Sequence, residues 1–255
     1  MNQPFGEAQR IELKAPPLEL VICQLRFPTI LALADGRPPE EFQRRISGEY
    51  PLARKKDEFV NVRLDNREVV LPGGTRSWCF DDLSAQWTVT LGDSFLALEA
   101  NRYRQFKDFS ERFMNVLSQW QETYPIALQT RLGLRYVDRI SHARNPELPR
   151  RFADRINPEL IAFPSVSGPG ILRTSRLESR FCFPDRFLTI RSMYSDQGFP
   201  GAEQQDELIL DFDCYHQEQR PIADVQDSLV EYKKLCYQAF RWCIGDLINC
   251  FESMP

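Results

Sequence analysis

Two carboxylates and a set of arginines are the residues whose types and spacing could do chemistry in this chain. Asp211 and Asp213 flank Phe212 in the run Leu208-Ile209-Leu210-Asp211-Phe212-Asp213. Strand alternation puts both carboxylates, with Tyr215, on the face opposite Leu210 and Phe212. A pair so placed can hold Mg²⁺ or divide the roles of acid and base, although a lone Asp-x-Asp is also what a solvated or salt-bridged sheet face looks like. Arg26, in the alternating run 17–27, and Arg131, Arg135 and Arg139, in the run 126–140, fall on the sides opposite the apolar residues. Arg176, Arg180 and Arg191 come from later strand-like segments. If the two runs lie side by side, these guanidinium groups face Asp211 and Asp213 across a shared polar surface. That surface suits an anionic ligand or a phosphodiester backbone, both of which guanidinium grips bidentately. Cross-strand salt bridging is the competing arrangement, and slightly the favoured one.

Other reactive patterns fall away. The chain has two histidines, His142 and His216, and a metal-ligand offset exists only between His216 and Cys214. On a strand those two share the face of Leu208, Leu210 and Phe212, which reads as a buried side. Cys236, Cys243 and Cys250 stand seven residues apart on a helical stretch. Seven helical residues rise about 10 Å, too far for thiolates to share a zinc ion, so they read as core positions. There is no Gly-x-Ser-x-Gly elbow, no phosphate-binding Gly-x-x-x-x-Gly-Lys and no dinucleotide fingerprint. No catalytic residue, metal or cofactor is implied.

Composition bounds the classes. At 255 residues with 42% hydrophobic and 27% charged positions the chain can bury a sizeable core. Net charge is −4, so no overall basic excess drives nucleic-acid binding. No apolar run approaches the roughly 20 residues of a membrane span, and residues 1–14 carry no secretion signal. Seven cysteines without C-x-x-C spacing fit reduced thiols. The expected location is the cytoplasm, with no membrane partner and no structural disulfide.

The elements that must position these residues come in a repeated order. The strand 17–27 is followed by a short helix over 38–50 carrying Phe42, Ile46 and Tyr50, then strands over 59–64, 68–71, 77–80, 86–91 and 95–99 with a turn at Pro72-Gly73-Gly74. A helix over 103–124 follows, striped by Phe106, Phe109, Phe113, Val116, Leu117, Trp120 and Tyr124. The strand 126–140, a short helix at 149–156, a loop at 163–170, strands near 171–183, 187–194 and 207–216, and a long helix over 222–251 repeat that order. Leu25-Arg26-Phe27 matches Leu134-Arg135-Tyr136, and Pro39, Phe42, Arg45 and Ile46 match Pro149, Phe152, Arg155 and Ile156 in spacing. The expected fold is α+β: two pseudo-repeats of strand, helix, antiparallel meander and long helix, residues 1–125 and 126–255, with curved antiparallel sheets packed against two long helices in one fused domain. Arg26 and Arg135 would then be equivalent.

Ala15-Pro16-Pro17-Leu18 opening a strand that ends Leu25-Arg26-Phe27-Pro28, the segment Gly133-Leu134-Arg135-Tyr136-Val137-Asp138-Arg139-Ile140, and the strand Leu208 to Asp213 resemble a sporadically distributed bacterial family of about this length without an established activity. That resemblance implies a bacterial source and patchy inheritance, as in mobile or phage-defence genes, and transfers no catalytic residue. The element order is also similar, more loosely, to the saddle repeats of TATA-binding proteins and to helix-grip proteins, an analogy of fold alone. Together these features favour a non-enzymatic binding or regulatory protein. It would engage a protein (a second copy included), a nucleotide or a nucleic acid through the polar face of Arg26, Arg131, Arg135, Arg139, Asp211 and Asp213, or through a groove beside the long helices. The alternatives are a metal-dependent phosphodiester or nucleotide enzyme using Asp211 and Asp213, and a saddle on duplex nucleic acid.

Overall fold

A computed structural model of the protein describes residues 4–9, 11, 13, 15–64, 67–161, 173–196 and 205–252, with backbone alone for 35, 57–75 and 252. Antiparallel strands and helices make it α+β. No helix of the described residues is long and apolar enough to cross a membrane. The chain divides into two compact units, one of residues 22–133 and 217–228, the other of residues 1–21, 134–216 and 229–255.

In the unit of residues 22–133, β1 (Leu18–Arg26) buries Cys23 and Leu25 at every second position. It leads to α1 (Glu40–Ile46), where Glu40 and Glu41 occupy the first turn and Arg44 and Arg45 the last, each complementing the helix dipole. β2 (Leu52–Leu64), β3 (Arg67–Asp81), β4 (Trp87–Gly92) and β5 (Phe95–Ala100) pair in that order, with β1 next to β5. α2 (Phe106–Thr123) buries Phe109, Phe113, Val116, Leu117 and Trp120 of the stripe its period predicts, and leaves Phe106 and Tyr124 half-buried. Phe27 packs on Trp120 with ring centroids 4.4 Å apart, and Phe42 meets Phe80 edge-on at 5.8 Å. Short strands β6 (Leu128–Gln129) and β11 (Arg220–Pro221) pair on their own. The turn expected at Pro72-Gly73-Gly74 does not form. Those residues lie inside β3, where Phe59 pairs with Pro72 and Asp57 with Arg76, so the intervening stretch is taken up as a bulge. Glycines supply bulge conformations as readily as turns.

In the other unit, which takes β7 (Arg131–Ser141) from Leu134 onward, β7, β10 (Asp206–His216), β9 (Phe187–Asp196) and β8 (Thr174–Cys182) pair in that order. Leu208, Leu210, Phe212, Cys214 and His216 form the buried face of β10, and α3 (Val225–Ile244) meets it with Tyr232, Cys236 and Phe240. His216 Nδ1 is 2.5 Å from the Tyr232 hydroxyl. All seven cysteines are free; Cys236 and Cys243 are buried and Cys250 is half-buried.

Two expected helices differ. Residues 149–156 form turns rather than a helix, because the Asp206 carboxylate accepts the Phe152 and Ala153 N–H groups at 2.6 and 2.9 Å while Asp206 N donates to Arg150 O. A side chain from β10 thus takes donors that a helix needs. The helix expected over 222–251 becomes a 3₁₀ turn at Ile222–Asp224, α3, a second 3₁₀ turn at Gly245–Ile248 and α4 (Asn249–Glu252). Gly245 sits at φ +52°, and a Cβ there would stand 2.8 Å from the Arg155 carbonyl. The break lets Asn157 N donate to Cys243 O and Leu247 N to Arg155 O. The loop at 163–170 lies outside the described residues.

Candidate functional site

The outward face of β7, β10, β9 and β8 carries a ladder of arginines and carboxylates. Strand alternation brings Arg135, Asp211, Arg191 and Glu178 out on one side, and the register places Asp211 opposite Arg191 and Arg191 opposite Glu178. Arg135 donates through Nε to Asp211 Oδ1 and through Nη2 to Oδ2, both at 2.8 Å. Arg191 Nη1 adds a 3.2 Å bond to Oδ2, and its Nε reaches Glu178 at 2.6 Å. The hydrogen bond to Asp211 holds the Arg135 guanidinium above its ordinary pKa despite partial burial. The Asp211 side chain is 10% exposed, so its oxygens are both engaged and covered. Asp213 pairs with Thr189 one rung along.

Arg139 forms a second cluster. Its Nε donates to Glu19 Oε2 and its Nη1 to Glu207 Oε1, both at 3.0 Å, while Arg144 Nη2 donates to Glu19 Oε1 at 2.8 Å. Glu19 thereby raises the Arg139 pKa further than burial lowers it.

The remaining two arginines belong to the other unit. Arg131 folds its guanidinium over Gly133, where a Cβ would stand 2.6 Å from Nη1. Arg26 is exposed, donates to Gln24 Oε1 at 3.3 Å, and makes no ion pair among the described residues. It lines a cavity of about 270 Å³ with Gln24, Lys56, Thr90, Phe95 and Glu99. Phe95 packs closely against Gly92: a Cβ at that glycine would meet the ring at 2.4 Å, so a bare backbone seats the aromatic. Cation, aromatic face and amide can act chemically as a receptor for a flat, negatively charged group.

The structure therefore joins Arg135 to Asp211, gives Arg139 partners of its own, and leaves Arg26 with a cavity. Sequence reasoning overlooked Glu19, Glu178 and Glu207, although alternation places each on an outward face. It also overlooked Asp138, which follows Leu132, Leu134 and Tyr136 at period two on the inward side of β7. Asp138 is 5% exposed and receives no hydrogen bond among the described residues; burial pushes its carboxyl up to about 7. It lies near Cys243, whose thiol is raised first by burial and then by that carboxyl. No group of three or more His, Cys, Asp or Glu among the described residues could hold a metal ion. No protein-family model matches the chain, and no curated protein matches it.

Proposed function

We propose that the chain is a non-enzymatic binding or regulatory protein whose polar sheet face holds the phosphate of a nucleotide or nucleic acid at the Arg26 cavity. One observation carries this. Arg135 and Arg139 are neutralised by carboxylates, whereas Arg26 makes no ion pair among the described residues and shares its cavity with Lys56 and Phe95. Stacking on an aromatic ring combined with a guanidinium on phosphate is how single strands and nucleotides are gripped without chemistry being done to them. The metal-dependent alternative draws less support, since both Asp211 oxygens accept guanidinium N–H groups and a metal would have to displace them.

The finer features belong to the same proposal: a bacterial, cytoplasmic protein of the sporadic and defence-linked kind, grown by duplication. Support for duplication comes from matched environments. Leu25 and Leu134 are buried while Arg26 and Arg135 point outward, and Phe42 and Ile46 are buried like Phe152 and Ile156.

The test is fluorescence anisotropy with a labelled oligonucleotide, single-stranded and duplex, and with a labelled nucleoside diphosphate, across a salt series. Binding that weakens with salt and drops at least about tenfold in Arg26→Glu and in Phe95→Ala supports the proposal. Binding indifferent to both substitutions, or Mg²⁺-dependent phosphodiester turnover lost in Asp211→Asn, refutes it. Duplex-only binding would favour the saddle.

A further inference from the structure

β8 is the outermost strand of its sheet: β9 pairs with one side of it, and among the described residues no strand pairs with the other. The two ends of the ladder show which way its backbone points. Asp196 N donates to Arg173 O and Phe183 N to Arg186 O, so the odd-numbered residues between Arg173 and Phe183 turn their N–H and C=O groups toward β9. Thr174, Arg176, Glu178, Arg180 and Cys182 therefore aim theirs at the free edge, where no backbone hydrogen bond among the described residues meets them. Such a row of open donors and acceptors is a template for a further strand.

The side chains of β8 are open as well. All five of those residues are exposed, and on the other face of the strand Leu177 is 37% exposed, a large apolar side chain at the rim of the sheet. Arg176 and Arg180 make no hydrogen bond or ion pair among the described residues. Glu178 accepts from Arg191 through Oε2, and its Oε1 has no described partner.

The order of charges decides which strand fits. Along the edge they read Arg176, Glu178, Arg180, with opposite signs two residues apart. An identical strand running antiparallel, with Leu177 on the twofold axis, sets each copy's Arg176 opposite the other's Glu178 and lays Leu177 against Leu177. The backbones of Arg176 and Glu178 both face the edge, so the register that matches the charges also completes the ladder. An axis on Glu178 would instead oppose Glu178 to itself and Arg176 to Arg180, like on like.

We propose that the protein forms a twofold dimer by antiparallel pairing of β8 with β8 of a second copy of the chain, in the register centred on Leu177. A single strand pair falls below the roughly 1,200 Å² of a standard interface, so the dimer is weak and concentration-dependent. Sedimentation velocity on the full chain from about 1 to about 300 μM should show monomer passing to dimer. Glu178→Arg and Arg176→Glu should each raise the dimer Kd at least about tenfold, because each opposes like charges at two symmetric places. Mixed in equal amounts, the two variants should associate again, since a cation then meets an acid at both places. Arg176 makes no polar contact within the monomer, so Arg176→Glu remains a test even if Glu178→Arg, which loses Arg191, fails to fold. Leu177→Cys in a Cys182→Ser background, treated with diamide to take up the two thiol hydrogens, should give a disulfide-linked dimer, because residues facing each other at a non-hydrogen-bonded pair have Cα atoms about 4.5 Å apart. Ser179→Cys in the same background should not cross-link. None of these residues lines the Arg26 cavity, so nucleotide binding stands or falls separately. A chain that stays monomeric over that range, variants that associate as the wild type does, a mixture that stays monomeric, or cross-linking at 179 rather than 177 overturns the proposal.

Discussion

Replacing Asp138 by asparagine removes an ionisation from the inside of β7 while keeping the side chain's size. In the folded protein this carboxyl is 5% exposed and burial raises it to about 7 from an ordinary 3.8. The folded state therefore binds the proton more tightly than the unfolded chain does. Between those two values the native protein holds more protons, so the wild type loses stability as pH rises from about 4 and the loss levels off above about 7. The full effect is about 4 kcal/mol, of which about 2 kcal/mol falls between pH 5.5 and 8. Asparagine cannot ionise, so Asp138→Asn should be more stable than the wild type by a margin that widens by about 2 kcal/mol over that interval. Urea unfolding of both proteins at pH 5.5 and 8 reads the margin directly, and other titrating groups cancel in the difference if they are independent of this site. Parallel stability curves, with a margin constant in pH, would refute the reasoning, because they would mean that Asp138 titrates alike in both states.

Asp206→Ala should cost about 3 kcal/mol in urea unfolding, since its fully buried carboxylate accepts from Phe152 N, Ala153 N, the Tyr194 hydroxyl at 2.9 Å and Arg151 Nε at 3.0 Å; a loss under about 1 kcal/mol would show that those amides find other acceptors. Gly245→Ala should lower stability by about 1–3 kcal/mol, because both the φ of +52° and the Arg155 carbonyl at 2.8 Å oppose a Cβ. A thermal midpoint equal to wild type would contradict that strain. In a double-mutant cycle, Arg135→Ala and Asp211→Ala should couple by about 1 kcal/mol, a value discounted because Arg135 is 44% exposed; additive effects would mean that Arg191 alone serves Asp211.

What the sequence determines by itself is local and periodic. Alternation in β1, β7 and β10 told which side each residue takes, so Cys214 and His216 were placed with Leu210 and Phe212, and Asp211 opposite them. The 3.6-residue period of α2 likewise marked Phe109, Phe113 and Trp120 for burial. These succeed because a side chain's direction depends on the few dihedrals around it. The helix at 149–156 failed for the opposite reason: its pattern was adequate, but Asp206 from β10 captures its amides. Gly245 breaks the last helix to make room for the Arg155 carbonyl, a neighbour that no local pattern announces. Alternation assigns Arg26, Arg131, Arg135 and Arg139 to polar sides, but which of them meets an acid depends on Glu19, Glu207 and Asp211, brought to them by the fold. Whether a charge is cancelled, left to a cavity as Arg26 is, or shut in a core as Asp138 is, depends on distance and dielectric, and only the tertiary structure sets those.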